Sequence, residues 1–203
     1  MAMTQVLLDV LARPDKPNST RLVMTDEAVT IGGKSFAWPE IDKVDFGFID
    51  SYQNKVYVGT SFTIKVGTHD GRKATFLMLS KSKGFFGGTV DHQKRDHGRE
   101  QWSRAVDILV ERAGIRIVET AVAAVRGGGT AEIGGVRIDQ RGMSKGRLFK
   151  KSVPWNEIAS FESKYPYHHV LVRQGDKTKP RIQIANGTWN SMLLPTVIRV
   201  FAP

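Results

Sequence analysis

The chain has 203 residues, enough for one large domain or two of about 100 residues, and its 40% hydrophobic and 25% charged residues are those of a globular protein. It has no cysteine, which excludes disulfides and thiolate metal sites and suits a reducing compartment. The net charge of +10 is uneven: residues 1–113 carry 16 Lys/Arg against 14 Asp/Glu, whereas residues 114–203 carry 14 against 6. An excess of +8 in the second half favours anionic partners.

Residues 1–19 read as an N-terminal segment with neither a basic leader nor a sustained apolar stretch, a poor signal peptide. No run reaches the ~18 apolar residues of a membrane span. Alternation then predicts strands near 20–31, 34–41, 43–50, 55–66 and 72–80, with a hairpin turn at His69-Asp70-Gly71. Trp102, Ala105, Val106, Leu109 and Ala113 share one helical face and predict a helix over Arg99–Ala113, with Gly114 as its stop. A second helical pattern, Arg116–Arg126, has Val118, Ala121, Val122 and Val125 on one side. It reads, with Gly127-Gly128-Gly129, as a connector over 114–129 with a glycine joint.

From residue 130 the pattern starts again. Strands are predicted near 130–133, 135–142, 150–158, 160–164, 167–174 and 179–185, followed by a helix over Ser191–Phe201. Its face is predicted to carry Met192, Leu193, Thr196, Val197 and Val200, and Pro195 predicts a late start or a bend. Phe36-Ala-Trp38-Pro-Glu40-Ile41-Asp-Lys-Val44 and Val153-Pro-Trp155-Asn-Glu157-Ile158-Ala-Ser-Phe161 both read apolar-x-Trp-x-Glu-Ile-x-x-apolar. With the strands, turn and helix that follow each, they point to a duplicated module, 20–113 and 130–203. Trp38 and Trp155 are expected to fill cores, and Glu40 and Glu157 to accept from backbone donors of the next turn.

These features resemble bacterial pleckstrin-homology-like domains, whose members show an apolar-Pro-Trp-x-Glu-Ile sequence after a short strand and a turn, and are similar to actinobacterial proteins carrying such modules in tandem. The resemblance implies an α+β chain of two modules, each an antiparallel sheet or partly open barrel closed by a C-terminal helix. It also implies a binding or scaffolding role, and places cations of the loop Ser144–Lys151 where phosphates are met, between the first two strands.

That loop carries Lys145, Arg147, Lys150 and Lys151 as candidate anion ligands, with Leu148 and Phe149 at its tip. It reads either as a headgroup site or as a solvated basic hairpin. A second candidate contact for a partner or a membrane is the insertion with Lys81, Lys83, Phe85 and Phe86. Asp91, His92, Asp96 and His97, and His168-His169, match no metal-ligand spacing, so no metal or cofactor is expected. No phosphate loop or nucleophile elbow occurs. The expected protein is a soluble, cytoplasmic, non-catalytic binder, peripheral to the inner membrane face if lipid is its ligand. Its partner is a protein or anionic lipid headgroups. The alternative is nucleic-acid binding by the basic second module, through Lys164, Tyr165, Tyr167, His168 and His169.

Overall fold

The computed structural model describes residues 4–14, 16–81, 92–146 and 151–202, without the side chains of Lys81, His92 and Lys94. The chain divides into two compact units, residues 1–113 and 114–203. It is an α+β structure whose four sheets are antiparallel and open, none closing into a barrel.

The first unit begins with a four-stranded meander, β1 (Val6–Leu11), β2 (Arg21–Thr25), β3 (Ala28–Ile31) and β4 (Lys34–Ala37). The N-terminal segment is thus part of the sheet: β1 pairs along β2 from Val6↔Thr25 to Leu11↔Arg21. The single strand expected over 20–31 is broken at Asp26-Glu27. There the Thr25 hydroxyl accepts the backbone N–H groups of Glu27 and Ala28, forming a side-chain turn that competes with the strand. A 3-10 turn, Trp38–Glu40, leads into a three-stranded sheet of β5 (Ile41–Gln53), β6 (Val56–Thr68) and β7 (Lys73–Lys81). Rows Phe46–Ile64–Phe76 and Phe48–Phe62–Met78 line one face, and most of these side chains are buried. Helix α1 (His92–Leu109) covers that face. Trp102 Nε1–H donates to the Thr63 carbonyl at 3.2 Å, and a Cβ on Gly98 would stand 3.2 Å from the Phe62 ring.

Gly114 is not the expected stop. Its dihedrals are helical, φ −61° and ψ −45°, and Val110–Gly114 takes π geometry. Helix α2 (Ile115–Arg126) buries the four predicted residues, Val118, Ala121, Val122 and Val125. It packs on elements of the second unit and is counted with it, so Gly127–Gly129 end a helix inside that unit rather than forming a joint before it.

The second unit repeats the element order: β8 (Ala131–Ile133), β9 (Val136–Asp139), β10 (Gly142–Lys145) and β11 (Lys151–Pro154), a 3-10 turn at Trp155–Glu157, and then β12 (Ile158–Lys164), β13 (Tyr167–Gln174) and β14 (Lys177–Ala185). A 3-10 turn at Ser191–Leu193 precedes α3 (Leu194–Phe201). Pro195 lies in the first turn of α3, where no intrahelical donor is missed, so the helix starts late as expected. Its buried face is Leu194, Val197 and Ile198. Thr196 and Val200, predicted to belong to that face, are exposed.

Registers also repeat. The pairs Ala28↔Ala37, Val29↔Phe36, Thr30↔Ser35 and Ile31↔Lys34 of β3–β4 correspond one for one to Gly142↔Pro154, Met143↔Val153, Ser144↔Ser152 and Lys145↔Lys151 of β10–β11. The offset is 114 before the hairpin (142 − 28) and 117 after it (154 − 37). The difference of three is the loop length: residues 32–33 in the first unit against 146–150 in the second.

Where the first unit has Ala28, the second has Gly142, and Pro154 is pressed against it. A Cβ there would lie 2.1 Å from the Val153 carbonyl oxygen and 2.9 Å from Pro154 Cα. Gly142→Ala is expected to destabilise the protein by about 3 kcal/mol, the cost of overpacking against a backbone that cannot give, read as a lower midpoint in chemical denaturation. At the β6–β7 turn, Asp70 accepts hydrogen bonds from the Thr68 hydroxyl and from Arg72. These bonds hold its carboxyl down at about 2, below the usual value of about 4. A depressed carboxyl contributes stability above the unfolded value and loses it as pH falls through the folded one. The stability difference between the native protein and Asp70→Asn should therefore shrink between about pH 4 and pH 2, measurable by denaturation at stepped pH.

Candidate functional site

The paired Trp-x-Glu-Ile segments sit at the same structural station, the 3-10 turn that links the two sheets of each unit. Trp38 and Trp155 are 5% and 6% exposed, and Ile41 and Ile158 are buried behind them. Their bonds match. Trp38 Nε1–H donates to the Thr25 carbonyl at 3.0 Å, and Trp155 Nε1–H to the Asp139 carbonyl at 2.9 Å. The Trp38 amide donates to Glu27 O, and the Trp155 amide to Arg141 O. Each acceptor is 114 residues from its counterpart. Burying an indole, about 200 Å², at about 25 cal/mol per Å² is worth about 5 kcal/mol, several times the net ~1 kcal/mol of one hydrogen bond. Burial therefore holds the ring, and the bond fixes its orientation.

The glutamates differ from the expectation. Glu40 reaches back, not forward: it accepts the Ala37 N–H at 3.2 Å and pairs with Arg72 at 3.2 Å. The residue matching Ala37 is Pro154, which has no N–H. Glu157 is exposed, and neither bond has an equivalent there among the described residues.

The basic hairpin lies between the third and fourth strands of its sheet, β10 and β11, not between the first two. Arg147, Leu148, Phe149 and Lys150 lie outside the described residues, as do Lys83, Phe85, Phe86 and Asp91 of the other candidates; Lys81 ends β7. The hairpin residues described, Lys145 and Lys151, face each other directly across the strands. Like charges in that register repel. Lys145 stands where the first unit has Ile31, which is 3% exposed. Its ammonium donates to the Gln183 carbonyl on β14 at 2.6 Å. Burial, and then the Lys151 charge, pull the Lys145 pKa below the ordinary lysine value. Among the described residues no carboxylate pairs with either lysine. The sequence marked the cations; the carbonyl partner and the match to Ile31 carry no local sequence signal.

At the β12–β13 hairpin Tyr165 and Tyr167 are 70% and 43% exposed beside Lys164. His168 is not part of that surface. It is buried, shares a 2.9 Å hydrogen bond between Nδ1 and the Ser163 hydroxyl, and stacks on Phe161. Its neighbour His169 lies on the other face, as strand alternation requires. Among the described residues no three His, Asp or Glu side chains gather as a metal site. No helix of the described residues is long and apolar enough to cross a membrane.

Trp38→Phe and Trp155→Phe each remove one buried N–H donor and leave its carbonyl without that bond. Each is expected to cost about 1–2 kcal/mol, and the double variant should lose the sum of the two within ~0.5 kcal/mol, as distant independent sites do, read from denaturant midpoints. Compared with known proteins, the chain matches no family model, no curated protein and no solved structure.

Proposed function

We propose that this protein is a non-catalytic binding protein built of two pleckstrin-homology-like modules, and that the second presents the Lys145–Lys151 hairpin to an anionic partner. The order of four strands, linking turn, three strands and helix in each unit supports the module reading. The observation that carries the binding reading is the replacement of a buried isoleucine position by Lys145, set opposite Lys151. A sheet gains nothing from two facing ammonium groups. An anion between them turns repulsion into two charge-assisted hydrogen bonds. Anionic lipid headgroups and acidic protein segments both supply that chemistry. A second reading, single-stranded nucleic acid, is favoured by exposed Tyr165 and Tyr167 beside Lys164, since bases stack on such rings.

The test is co-sedimentation of the full chain with phosphatidylserine-containing vesicles at low salt, beside vesicles of phosphatidylcholine alone. Binding to the acidic vesicles only is expected, falling at least tenfold in Lys145→Glu/Lys151→Glu and weakening as salt rises. Equal binding by the variant removes the hairpin as the site. Retention of a single-stranded oligonucleotide that is lost in Tyr165→Ala, with no vesicle binding, would favour the second reading.

A further inference from the structure

The two three-stranded sheets end in edge strands of opposite character. In β14 the exposed run Lys177-Thr178-Lys179-Pro180-Arg181 carries three cations and a proline without an N–H. Charge and proline on an edge strand block the docking of another strand. In β7 the interior, Ala74-Thr75-Phe76-Leu77-Met78-Leu79-Ser80, has neither. It pairs with β6 on one side, and among the described residues no strand bonds to it on the other. Phe76 and Met78 point into the core, whereas Thr75, Leu77 and Leu79 alternate outward, and Leu77 is 46% exposed.

A groove of about 460 Å³ runs along this strand, floored by Thr75, Leu77 and Leu79 and walled by the β1–β2 loop through Arg13, Lys16 and Ser19. The charged residues lining it are Arg13 and Lys16, both exposed, and among the described residues no carboxylate lines it. Three features coincide: a row of strand N–H and C=O groups that no described strand bonds, an apolar floor with strand periodicity, and a cationic wall.

We infer that β7 is a docking edge for an extended acidic peptide segment of a protein partner, which adds as a further strand to the β5–β6–β7 sheet. The peptide's backbone completes the ladder. On the face it shares with Leu77 and Leu79 its central side chains are apolar and lie beside those leucines, and carboxylates nearer its ends on that same face meet Arg13 and Lys16. Seven residues in extended form, Ala74 to Ser80, span about 23 Å, so a peptide of about eight residues fills the edge. The site uses only residues of the first unit and is independent of the Lys145–Lys151 reading.

The probe is a fluorescein-labelled octapeptide, Glu-Thr-Val-Thr-Val-Thr-Glu-Thr, whose glutamates and valines share one face of an extended strand, titrated with the full chain at low salt and followed by anisotropy. Saturable binding is expected. It should weaken at least tenfold in Arg13→Glu/Lys16→Glu and at least tenfold when alternate peptide amides on the bonding edge are N-methylated. Lys145→Glu/Lys151→Glu should leave it unchanged. In amide hydrogen exchange, the saturating peptide should slow exchange at β7 at least fivefold. The inference is overturned if the peptide does not bind, if the N-methylated peptide binds as well, or if β7 exchange does not change. It is also overturned if Arg13→Glu/Lys16→Glu abolishes vesicle binding while the peptide fails to bind the native protein. Circular dichroism of the exposed-loop variant checks its fold, and the exchange and N-methyl arms need no variant.

Discussion

Two small sheets joined by three residues of 3-10 turn make a weak unit unless something pins the joint. In each half of this protein the pin is an indole. Trp38 and Trp155 are buried at the turn itself, and each ring donates its one hydrogen to a carbonyl of the opening meander, Thr25 O or Asp139 O. A tryptophan has no second way to satisfy that donor in a dry environment. The ring therefore sets where the meander ends and where β5 or β12 begins. The inner rows of the three-stranded sheets are built outward from that fixed point.

The recurring Trp-x-Glu-Ile segments were legible because they combine a rare residue with a fixed spacing, and the helical faces of α1 and α2 because several apolar positions repeat at 3.6 residues. The remainder depended on contacts between distant residues. β1 has a register shift between Val6 and Leu8, so its apolar residues do not alternate cleanly and its pairing with β2 is not revealed by alternation alone. The π turn at Val110–Gly114 adds one residue to a helical phase, so a pattern read at a constant period took Gly114 for a stop. In α3, eight residues with five aliphatic or aromatic side chains fit more than one face; packing in the second unit chose Leu194, Val197 and Ile198 over Thr196 and Val200. Strand alternation sends one of His168 and His169 inward; which of the two it is depends on Ser163 and Phe161, which receive His168.

Charge tells a parallel story at the level of single positions. The +8 balance of the second half was evident from composition, yet a sum does not say which cations are under tension. The register does. Most lysines on an exposed strand lose little on folding, because water still surrounds the ammonium. Lys145 gives up part of that water at a place suited to isoleucine, retains one carbonyl contact, and faces a second ammonium. Its position, rather than the number of lysines, singles it out.

Position 154 shows how an equivalent backbone can be held by different means. Ala37 and Pro154 enter their turns with nearly the same dihedrals, φ −66° and ψ 142° against φ −60° and ψ 149°. The first is held from outside, by a carboxylate three residues on. The second is held from within, by a ring that already confines φ in the denatured chain. Rigidity built into the covalent skeleton is insensitive to salt, whereas the ion pair that steadies Glu40 weakens as salt rises. The same corner thus meets rising ionic strength with two different vulnerabilities in one polypeptide.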